Sequence, residues 1–555
     1  MFVYLFTSIA VSVVYDQLTC LCVCLWRVLL EQYTLTSGDV LSGSVYCKHR
    51  ECAFTPGLSD KQGATAYGVF NDTLEEKGWA QLDIRAGYGR QATDADVMFA
   101  AGYLEGVLTS RRIYQHFQNV QYPFFLSQTE AAVAFARKFL YEQDRWTRDM
   151  ILQFSSTDSF WRQVGHVTDQ LDGLYTGYNS VSTTEEEKLD FFIFQALSAS
   201  GDLSDIMAAS NSSQRPDWRT MTRAEVDRFL LMGSRCSALV KVTDNFDDIF
   251  MGHSTWFLYQ TMLRIYKYWT FKLRDETTKM SFSSYPGLLV SVDDFYVMSD
   301  TSMVMLQTTN DIFNASLFSL IQPHSLLAWQ RVRVANMAAT SGPEWAEMYK
   351  RYNSGTYMNQ YMVIDLKRYQ PRKHLEDNLL WVVEQIPGLV IAADQTAILR
   401  KGYWASYNVP FYESIYNISG YPEFVSVHGS DYSYEMAPRA KIFRRDHSTV
   451  HDVVTARQLL RSNDYVHDPF SEDNACYAVC CRGDLVTPVP MAFGCIDTKV
   501  TDFNLALNSS ASIINGPTTT NHMEPFDWSK EFENISHIGL PQRYDFSFYD
   551  VYAML

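Results

Sequence analysis

Apolar and polar residues alternate along some segments of the chain and recur at helical spacing in others. "TAYGVFNDTL" and "WAQLDIRAGYG" predict two strands, and "DVMFAAGYLEGVLT" predicts a helix. "SQTEAAVAFARKFLYEQ" predicts a second helix, opened by a capping box of Ser127 and Glu130. Residues 176–220 have a weaker pattern, and we expect a loop or an excisable region there.

The pattern changes after a short helix that is predicted to begin near Thr222, with Glu225 as its box partner, and to end by Gly233. "CSALVKV", "DDIFMGHSTW", "YMVIDL" and "LLWVVEQI" predict strands, and "WFLYQTMLRIYKYW" predicts a helix. "LLVSVDDFYVMSDTSMVMLQTTN" predicts two strands around a turn at Ser299 to Ser302. Because helices and strands alternate in blocks, not as βαβ units, we expect an α+β fold of antiparallel sheets layered with helices.

The first thirty residues are apolar apart from Asp16, Gln17 and Arg27, which predicts a secretory leader or an anchor at residues 1–30. No basic region precedes the apolar run, and no A-x-A-like site follows it. Beyond residue 30 no apolar run is long enough to span a bilayer, so we expect no stable membrane span in the mature protein. The N-x-S/T glycosylation acceptors are Asn71, Asn211, Asn314, Asn417, Asn508 and Asn534.

The composition indicates a globular protein without a nucleic-acid partner. Of the 555 residues, 47% are hydrophobic and 14% aromatic, which is too apolar for a disordered chain. The formal charge is −17 and no block of Lys or Arg occurs, whereas phosphate binding needs a basic face. The chain has no P-loop and no H-E-x-x-H motif, and "AGYGRQ" lacks the third glycine of a dinucleotide-binding loop. We therefore predict no cofactor and no metal.

The cysteines beyond the leader, which itself holds Cys20, Cys22 and Cys24, number seven, so one is left without an intramolecular partner. The remaining disulfide candidates are a near pair, Cys47 and Cys52, and a C-terminal group of Cys476, Cys480, Cys481 and Cys495 that can form two bridges. Adjacent cysteines make awkward tetrahedral ligands, so a zinc site in that group is disfavoured. Cys236 is the cysteine left over.

Cys236 follows the short predicted helix and a Gly-Ser-Arg loop, at the start of a buried-looking strand. If the Arg235–Cys236 bond is cut, the new α-amino group, with a pKa near 8, serves as the base for the thiol of the same residue. The alternative is a small buried apolar side chain without chemistry. "GHSTW" resembles the G-x-S-x-G turn of serine lipases, but Trp256 replaces the second glycine, so Ser254 is a poor nucleophile candidate.

Long stretches from about Ala64 to the C-terminus resemble the phospholipase B-like, or lamina ancestor, family of secreted and lysosomal N-terminal-nucleophile hydrolases. The resemblance implies a four-layer αββα sandwich and a precursor that cuts itself before a cysteine, here within "SRCSALV". The chain would then divide into residues 31–235, with a pro-segment near their end, and residues 236–555, which begin at the nucleophile. The matching text includes "DIRAGYG", "CSALVKV", "GHSTW", "QTTN", "SLLAWQRVRVANMAA", "YNSGTYMNQYMVIDL", "LRKGYWASYNVPFYE", "DYSYEMAPRAKIFRRD", "CYAVCCRGDL" and "GCIDTKV".

The same resemblance implies roles for single residues. Cys236 would be the nucleophile and, through its freed amine, the base. His253 in "GHSTW" and Thr309 in "QTTN" would line the pocket and position the thiol or the substrate carbonyl. The alternatives are a hydrogen-bonded histidine and a threonine at a strand end.

Three further residues complete the predicted site. Asn408 in "SYNVP" would donate to the oxyanion, or else is a turn residue. Arg439 in "APRAK" would place a positive charge near the thiol and lower its pKa, or else is a surface or salt-bridged arginine. Trp256 would wall the pocket, although a core tryptophan is the commoner outcome.

The resemblance implies a self-processing hydrolase of the secretory route or the lysosomal lumen that removes fatty acids from glycerophospholipids. One alternative is an amidase acting on N-acyl amide or peptide-like substrates, because a cysteine nucleophile attacks amides as well as esters. Another is a secreted binding glycoprotein without catalytic activity. The sequence leaves a homodimer open and offers no support for one.

Overall fold

The computed structural model of the protein describes residues 40–58, 61–89, 92–210, 215–231, 233 and 235–555. The predicted leader at residues 1–30, its cysteines and the acceptor Asn211 lie outside the described residues. The unit from Val40 to Leu555 clusters as one compact body.

Strands occur in both halves of this unit. In chain order they are β1 (Val40–Lys48), β2 (Glu51–Pro56), β3 (Ala66–Asn71), β4 (Trp79–Ala86), β5 (Arg235–Val242), β6 (Ile249–Leu258), β7 (Arg264–Lys272), β8 (Thr277–Ser284), β9 (Phe295–Met298), β10 (Met303–Thr309), β11 (Asn359–Asp365), β12 (Leu380–Ile386), β13 (Leu389–Asp394), β14 (Tyr403–Ser406), β15 (Phe493–Asp502), β16 (Ala511–Asn515), β17 (Phe526–Asp527), β18 (Arg543–Tyr544) and β19 (Tyr549–Val551).

Helices fill the long intervals between these strands. They are α1 (Leu74–Lys77), α2 (Asp94–Leu108), α3 (Ser110–Gln121), α4 (Glu130–Phe154), α5 (Ser159–Val181), α6 (Phe191–Ser198), α7 (Ser200–Ser210), α8 (Arg223–Leu231), α9 (Ala328–Ala338), α10 (Gly342–Lys350), α11 (Thr396–Leu399), α12 (Glu413–Ile418), α13 (Tyr421–His428), α14 (Pro438–Asp446), α15 (Val453–Leu460), α16 (Phe503–Leu507) and α17 (Trp528–Glu531).

Two large sheets form the centre of the protein. Within the described residues, the larger has eleven strands in the order β13-β12-β11-β10-β9-β8-β7-β4-β3-β1-β2, and the smaller has six in the order β14-β5-β6-β15-β16-β19. Neighbouring strands are antiparallel except for β4 and β7, which pair in parallel. Helix α2 lies on β1, β3 and β4, helix α15 lies on β6 and β15, and β10 contacts β5 and β6 across the space between the sheets. The predicted α+β sandwich of two sheets between helices is confirmed.

Burial on both faces explains why β5 has apolar residues at successive positions from Ala238 to Val240. Ala238, Val240 and Val242 join the core cluster between the two sheets. Leu239, one residue out of phase, packs instead into the cluster that includes Leu460 of α15. This period of two is the geometry of a strand covered on both sides.

Helices α2 and α5 cross at close range because glycines line their contact. A Cβ atom added at Gly177 would lie 2.0 Å from the carbonyl oxygen of Tyr103, and one at Gly102 would lie 1.9 Å from that of Gln170. The absence of a side chain therefore sets the distance between these two helices.

Most of the predicted elements are confirmed, including β5, β6, β9, β10, β11, β12 and the short helix α8. At the start of α8 the Glu225 carboxylate accepts a hydrogen bond of 2.8 Å from the backbone nitrogen of Thr222. The first two predicted strands correspond to β3 and β4, and the first predicted helix corresponds to α2.

Three local predictions are wrong. Residues 256–269 form the end of β6, a 3₁₀ turn at Tyr259–Thr261 and the start of β7, because apolar residues on both faces of buried strands also satisfy a helical spacing. Thr129, not Ser127, caps α4, and its hydroxyl accepts a hydrogen bond from the backbone nitrogen of Ala132. The loop predicted at residues 176–220 is wrong, since their described part holds the end of α5 and the short helices α6 and α7, while an excisable region there stays a prediction.

The cysteines of the described residues form the bridges Cys47–Cys52, Cys476–Cys481 and Cys480–Cys495. Cys236 is the free cysteine among them and is buried.

The glycosylation acceptors differ in exposure. Asn417, Asn508 and Asn534 are exposed, while Asn71 and Asn314 are partly exposed. Among the described helices, none has both the length and the apolar character needed to cross a membrane.

Candidate active site

Cys236 is the second residue of β5 and lies between the two large sheets. Its side chain is only 3% exposed. Burial raises the pKa of the thiol to about 12, although the backbone N–H of Trp256 and the charge of Lys499 oppose this shift. In the uncut chain the thiol is therefore neutral at ordinary pH.

Asn408 and Arg439 hold the peptide group of Cys236. The side-chain oxygen of Asn408 accepts hydrogen bonds from the backbone nitrogen of Cys236, at 3.1 Å, and from the Arg439 guanidinium, at 2.7 Å. The same guanidinium donates to the carbonyl oxygen of Cys236 and, at 2.8 Å, to the carbonyl oxygen of Tyr407. Since two donors converge on one oxygen of Asn408, the orientation of its amide group is fixed.

The amide nitrogen of Asn408 therefore points away from Arg439. It donates to the backbone oxygen of Thr309 at the end of β10, at 2.5 Å, and carries a second hydrogen for another acceptor. Asn408 has a φ of 70°, a left-handed conformation that asparagine tolerates better than most residues. Thr309 thus enters the site through its carbonyl oxygen.

Glu384 of β12 anchors the turn that carries Asn408. Its carboxylate accepts hydrogen bonds from the backbone nitrogens of Phe411, at 2.7 Å, and Tyr412, at 3.0 Å. The side chain of Gln360 donates to it at 2.6 Å. Burial nevertheless raises the pKa of Glu384 to about 7.

Trp256 forms the floor beneath Arg439. The guanidinium carbon of Arg439 lies 4.4 Å from the centre of the indole ring, and Trp256 is 1% exposed. Burial lowers the pKa of Arg439 to about 9. Its hydrogen bonds reach the peptide group of Cys236. The lowering of the thiol pKa by the charge of Arg439 stays a prediction, because burial dominates that pKa in the uncut chain.

Arg235, on the other side of the predicted cut, is also fixed. Its guanidinium donates to the carbonyl oxygen of Leu230, at 2.7 Å, and to the Asp311 carboxylate, at 2.6 Å. A cleft adjoins this residue, and its lining includes Leu230, Leu231, Arg235, Trp256, Phe313, Asn408, Tyr421, Phe424, Tyr432, Arg439 and Tyr477. The cleft combines apolar and aromatic side chains with charged ones, which include Asp227, Asp311 and Asp431 besides the two arginines.

His253 lies on β6 in the same layer but bonds to other partners. One ring nitrogen, Nε2, lies 2.8 Å from the carbonyl oxygen of Gln307, and because a carbonyl only accepts, Nε2 carries the proton. The other nitrogen, Nδ1, accepts from Lys499 at 3.1 Å. Burial holds the pKa of His253 well below its usual value, so the ring is neutral.

Lys499 belongs to a closed ring of four buried charges with Arg264, Asp293 and Asp497, which we call the charge ring. The Lys499 ammonium lies 2.7 Å from each carboxylate. Arg264 lies 2.9 Å from Asp293 and 2.8 Å from Asp497. Opposite charges alternate around the ring, which compensates the cost of burying each one.

This chain matches the family described as Phospholipase B over residues 66–551. The chain belongs to the phospholipase B family. It is 46% identical over 494 residues to "Phospholipase B-like 1" of Rattus norvegicus, which covers 88% of each chain. It is 44% identical over 526 residues to "Phospholipase B" of Crotalus adamanteus, covering 92% of this chain and 93% of the relative. With "Phospholipase B-like protein D" of Dictyostelium discoideum the identity is 36% over 530 residues.

The match to the phospholipase B family includes every predicted site residue and the charge ring. Cys236, Asn408, Arg439 and Trp256 form one group, which Thr309 joins through its carbonyl oxygen. His253 contacts the charge ring instead.

The charge ring was not predicted from the sequence. The sequence indicates it only by charged residues within otherwise apolar segments, in "SVDDF" and "GCIDTKV". Buried charges of this kind require partners, but the sequence does not show which ones.

Ser254 is not placed as a nucleophile in this phospholipase B family member. It lies in the middle of β6, and its hydroxyl donates to the carbonyl oxygen of Leu460 in α15, at 2.7 Å. Among the described residues, no group of His, Cys, Asp and Glu side chains is arranged to hold a metal ion.

Proposed function

We propose that this protein is a self-processing acyl hydrolase of the secretory route or the lysosomal lumen, with Cys236 as its nucleophile and glycerophospholipid esters as its substrates. The observation that carries the proposal is the clamp on Cys236. A free buried thiol has its own backbone nitrogen bonded to the side chain of Asn408 and its own carbonyl bonded to Arg439. Any buried peptide group needs partners, but here two of the predicted site residues supply them.

The first step is the cut of the Arg235–Cys236 bond. The sulfur of Cys236 attacks the carbonyl carbon of Arg235, and a thioester replaces the peptide bond. The thiol proton passes to the nitrogen of Cys236, which becomes an α-amine. Water then hydrolyses the thioester, which restores the thiol and leaves a carboxylate on Arg235.

The second reaction uses the new α-amine as the base. It takes the proton of the thiol, and the thiolate attacks the carbonyl carbon of the substrate ester. The free hydrogen of the Asn408 amide is available to the oxyanion that forms. The amine returns its proton to the leaving alcohol, and water releases the fatty acid from the acyl-enzyme. The hydrogen bond from residue 236 to the Asn408 oxygen keeps the amine in place.

The substrate class is supported by the names of the relatives, which are "Phospholipase B-like 1" and "Phospholipase B". The residues around Cys236 select only an acyl carbonyl, so an amidase acting on N-acyl amides is the second candidate. A secreted binding glycoprotein would not require a free thiol whose peptide group is fixed in this way.

The location of the protein in the secretory route or the lysosomal lumen is supported by the predicted leader, the glycosylation acceptors and the three disulfides, which persist in oxidising compartments.

The decisive test combines protein chemistry with a lipid assay. The intact mass and N-terminal sequence of the purified protein, incubated at acidic pH, would be compared with those of Cys236→Ala and of the matched control Ser254→Ala. We expect a fragment that begins Cys-Ser-Ala-Leu in the wild type and in Ser254→Ala, and a single chain in Cys236→Ala.

The same three proteins would then be offered phosphatidylcholine vesicles and an N-acyl amide. Fatty-acid release from the vesicles that requires Cys236 supports the phospholipase. Release from the amide alone indicates the amidase. A chain that stays uncut and inactive at every pH contradicts the proposal and favours the binding glycoprotein.

A further inference from the structure

The self-cleavage step lacks the base that serves the mature enzyme. Until the Arg235–Cys236 bond is cut, residue 236 has an amide nitrogen, which does not act as a base. Its thiol is buried, and burial raises the pKa of that thiol to about 12. Some other group must therefore favour the thiolate during the cut.

The register of the smaller sheet aligns the charge ring with the thiol. Cys236 of β5 pairs with Thr255 of β6, and Thr255 pairs with Asp497 of β15. In the next row His253 pairs with Lys499. Directly paired residues of an antiparallel sheet present their side chains on the same face. Thr255 thus stands between the nucleophile and the charge ring.

Lys499 is held in position from several sides. Its ammonium donates to the hydroxyl of Thr255, at 2.6 Å, and to the Asp293 and Asp497 carboxylates, each at 2.7 Å. His253 supplies a fourth acceptor at 3.1 Å. With four acceptors around its three hydrogens, the ammonium is held in place.

His253 is not the missing base. Its Nδ1 lies 3.1 Å from the Lys499 ammonium and 3.3 Å from the Thr255 hydroxyl, and its Nε2 carries a proton bound to the carbonyl of Gln307. A neutral acceptor in this place serves to orient the ammonium.

We propose that Lys499 is a positioning residue for the cut: its ammonium, fixed beside Thr255, stabilises the thiolate of Cys236 before an α-amine exists. This inference rests on the proposed function and extends it to the precursor. The step remains the one written above, and Lys499 neither gains nor loses a proton in it.

The charges around the thiol of Cys236 shift its pKa in opposite directions, so variants of different sign can be compared. Among the charged groups, Lys499 lowers the pKa of the thiol, whereas Asp293 and Asp497 raise it. Tyr285 after β8, Tyr357 before β11 and Arg439 on α14 also interact electrostatically with the thiol. The other nearby ionisable groups are Arg264 of the charge ring, His253 on β6 and the adjacent Arg235.

The experiment compares two variants that damage the same ring with opposite electrostatic effects. Full-length precursor would be made by cell-free translation, and the rate of the cut would be measured between pH 5 and 8. We expect Lys499→Met to cut at least about tenfold more slowly at each pH, because the thiolate loses the stabilising charge of the Lys499 ammonium. We expect Asp497→Asn to cut about threefold faster, since more thiolate outweighs its weaker nucleophilicity.

Two further variants separate charge from folding. Lys499→Arg keeps the charge and should recover part of the rate. Lys267→Met removes another fully buried lysine, which lies 2.6 Å from Glu105, and should leave the cut of folded precursor unchanged.

Each outcome decides the inference. If the wild type is cut and both ring variants are slowed alike, or neither changes, the proposed function stands and the role of Lys499 is wrong. If Lys499→Met fails to fold, Asp497→Asn decides alone, and only acceleration supports the inference. If the wild type is never cut, the proposed function and this inference fail together.

Discussion

The side-chain oxygen of Asn408 accepts a 3.1 Å hydrogen bond from the backbone nitrogen of Cys236. In the proposed mechanism this nitrogen becomes the α-amine that acts as the base. The contact would therefore exist before the cut and persist after it, so the amine would form where it is needed. The same side chain has an N–H to spare for the oxyanion.

The first prediction concerns the two ends of the Asn408 amide. Asn408→Asp keeps the acceptor for the nitrogen of Cys236 and loses the donor. We expect kcat for ester hydrolysis by the cut enzyme to fall by about 10²-fold to 10³-fold, as for other lost oxyanion donors. Steady-state kinetics measure this effect. A change of less than about threefold would exclude Asn408 as the donor.

The second prediction concerns the hydrogen bonds that the Arg439 guanidinium donates. Its guanidinium donates to four acceptors around Cys236, including Ser237 at 3.2 Å, and a lysine has neither enough hydrogens nor the planar geometry to replace it. We expect Arg439→Lys to lower kcat at least tenfold, or about 1.4 kcal/mol of activation free energy. Arg444→Lys on the same helix is the control, since Arg444 is about half exposed and bonds only to Glu435. Equal kinetics in the two variants would contradict the role of Arg439.

The third prediction is a pH dependence of stability at Glu384. Burial raises its folded-state pKa from 4.5 to about 7, so folding takes up a proton between these values. Its contribution to stability is therefore complete below about pH 4.5 and is lost as the pH rises through 7.

The variant Glu384→Gln cannot titrate at this position. We expect the unfolding free energy of the wild type minus that of the variant to fall between pH 5 and 7, by at most about 1.4 kcal/mol per pH unit. Urea denaturation at a series of pH values measures this difference. The hydrogen bonds that the substitution disturbs add an offset that does not change with pH, so a flat difference would show that Glu384 does not titrate in this range.

The fourth prediction concerns the contact of α2 with α5. Gly177→Ala places a Cβ atom 2.0 Å from the carbonyl oxygen of Tyr103, so the helices must separate. We expect a loss of about 3 kcal/mol of stability. Gly165→Ala in the same helix meets only a methyl group of Ile151, at 3.3 Å, and should change stability by less than about 1 kcal/mol. Thermal unfolding of both variants checks the contrast, and similar melting temperatures would contradict it.

The strands near the site were predictable because they are short, apolar and bounded by turns. β5, β9 and β10 have these features, and the two cores on either side of β5 explain its run of apolar residues from Ala238 to Val240. Residues 256–269 were misread, since the turn at Tyr259–Thr261 contains no glycine or proline to mark the boundary between two strands.

The site was predictable only in part, because some of its contacts join residues far apart in the chain. Cys236 was singled out by the odd number of cysteines, which is a property of the sequence itself. Lys499 and Asp293 are separated by 206 residues and meet only because β15 and the segment after β8 converge between the sheets. A local sequence motif does not predict a contact between residues so far apart in the chain.

The parallel pairing of β4 with β7 affects how the processed protein unfolds. Trp79–Ala86 would belong to one fragment and Arg264–Phe271 to the other, and they share eight paired positions in one sheet. Each disulfide of the described residues lies within a single fragment. Unfolding of the processed protein is thus also a dissociation, so its melting temperature should rise with protein concentration. The precursor folds as a single chain, whereas refolding of the processed protein requires its two fragments to associate again.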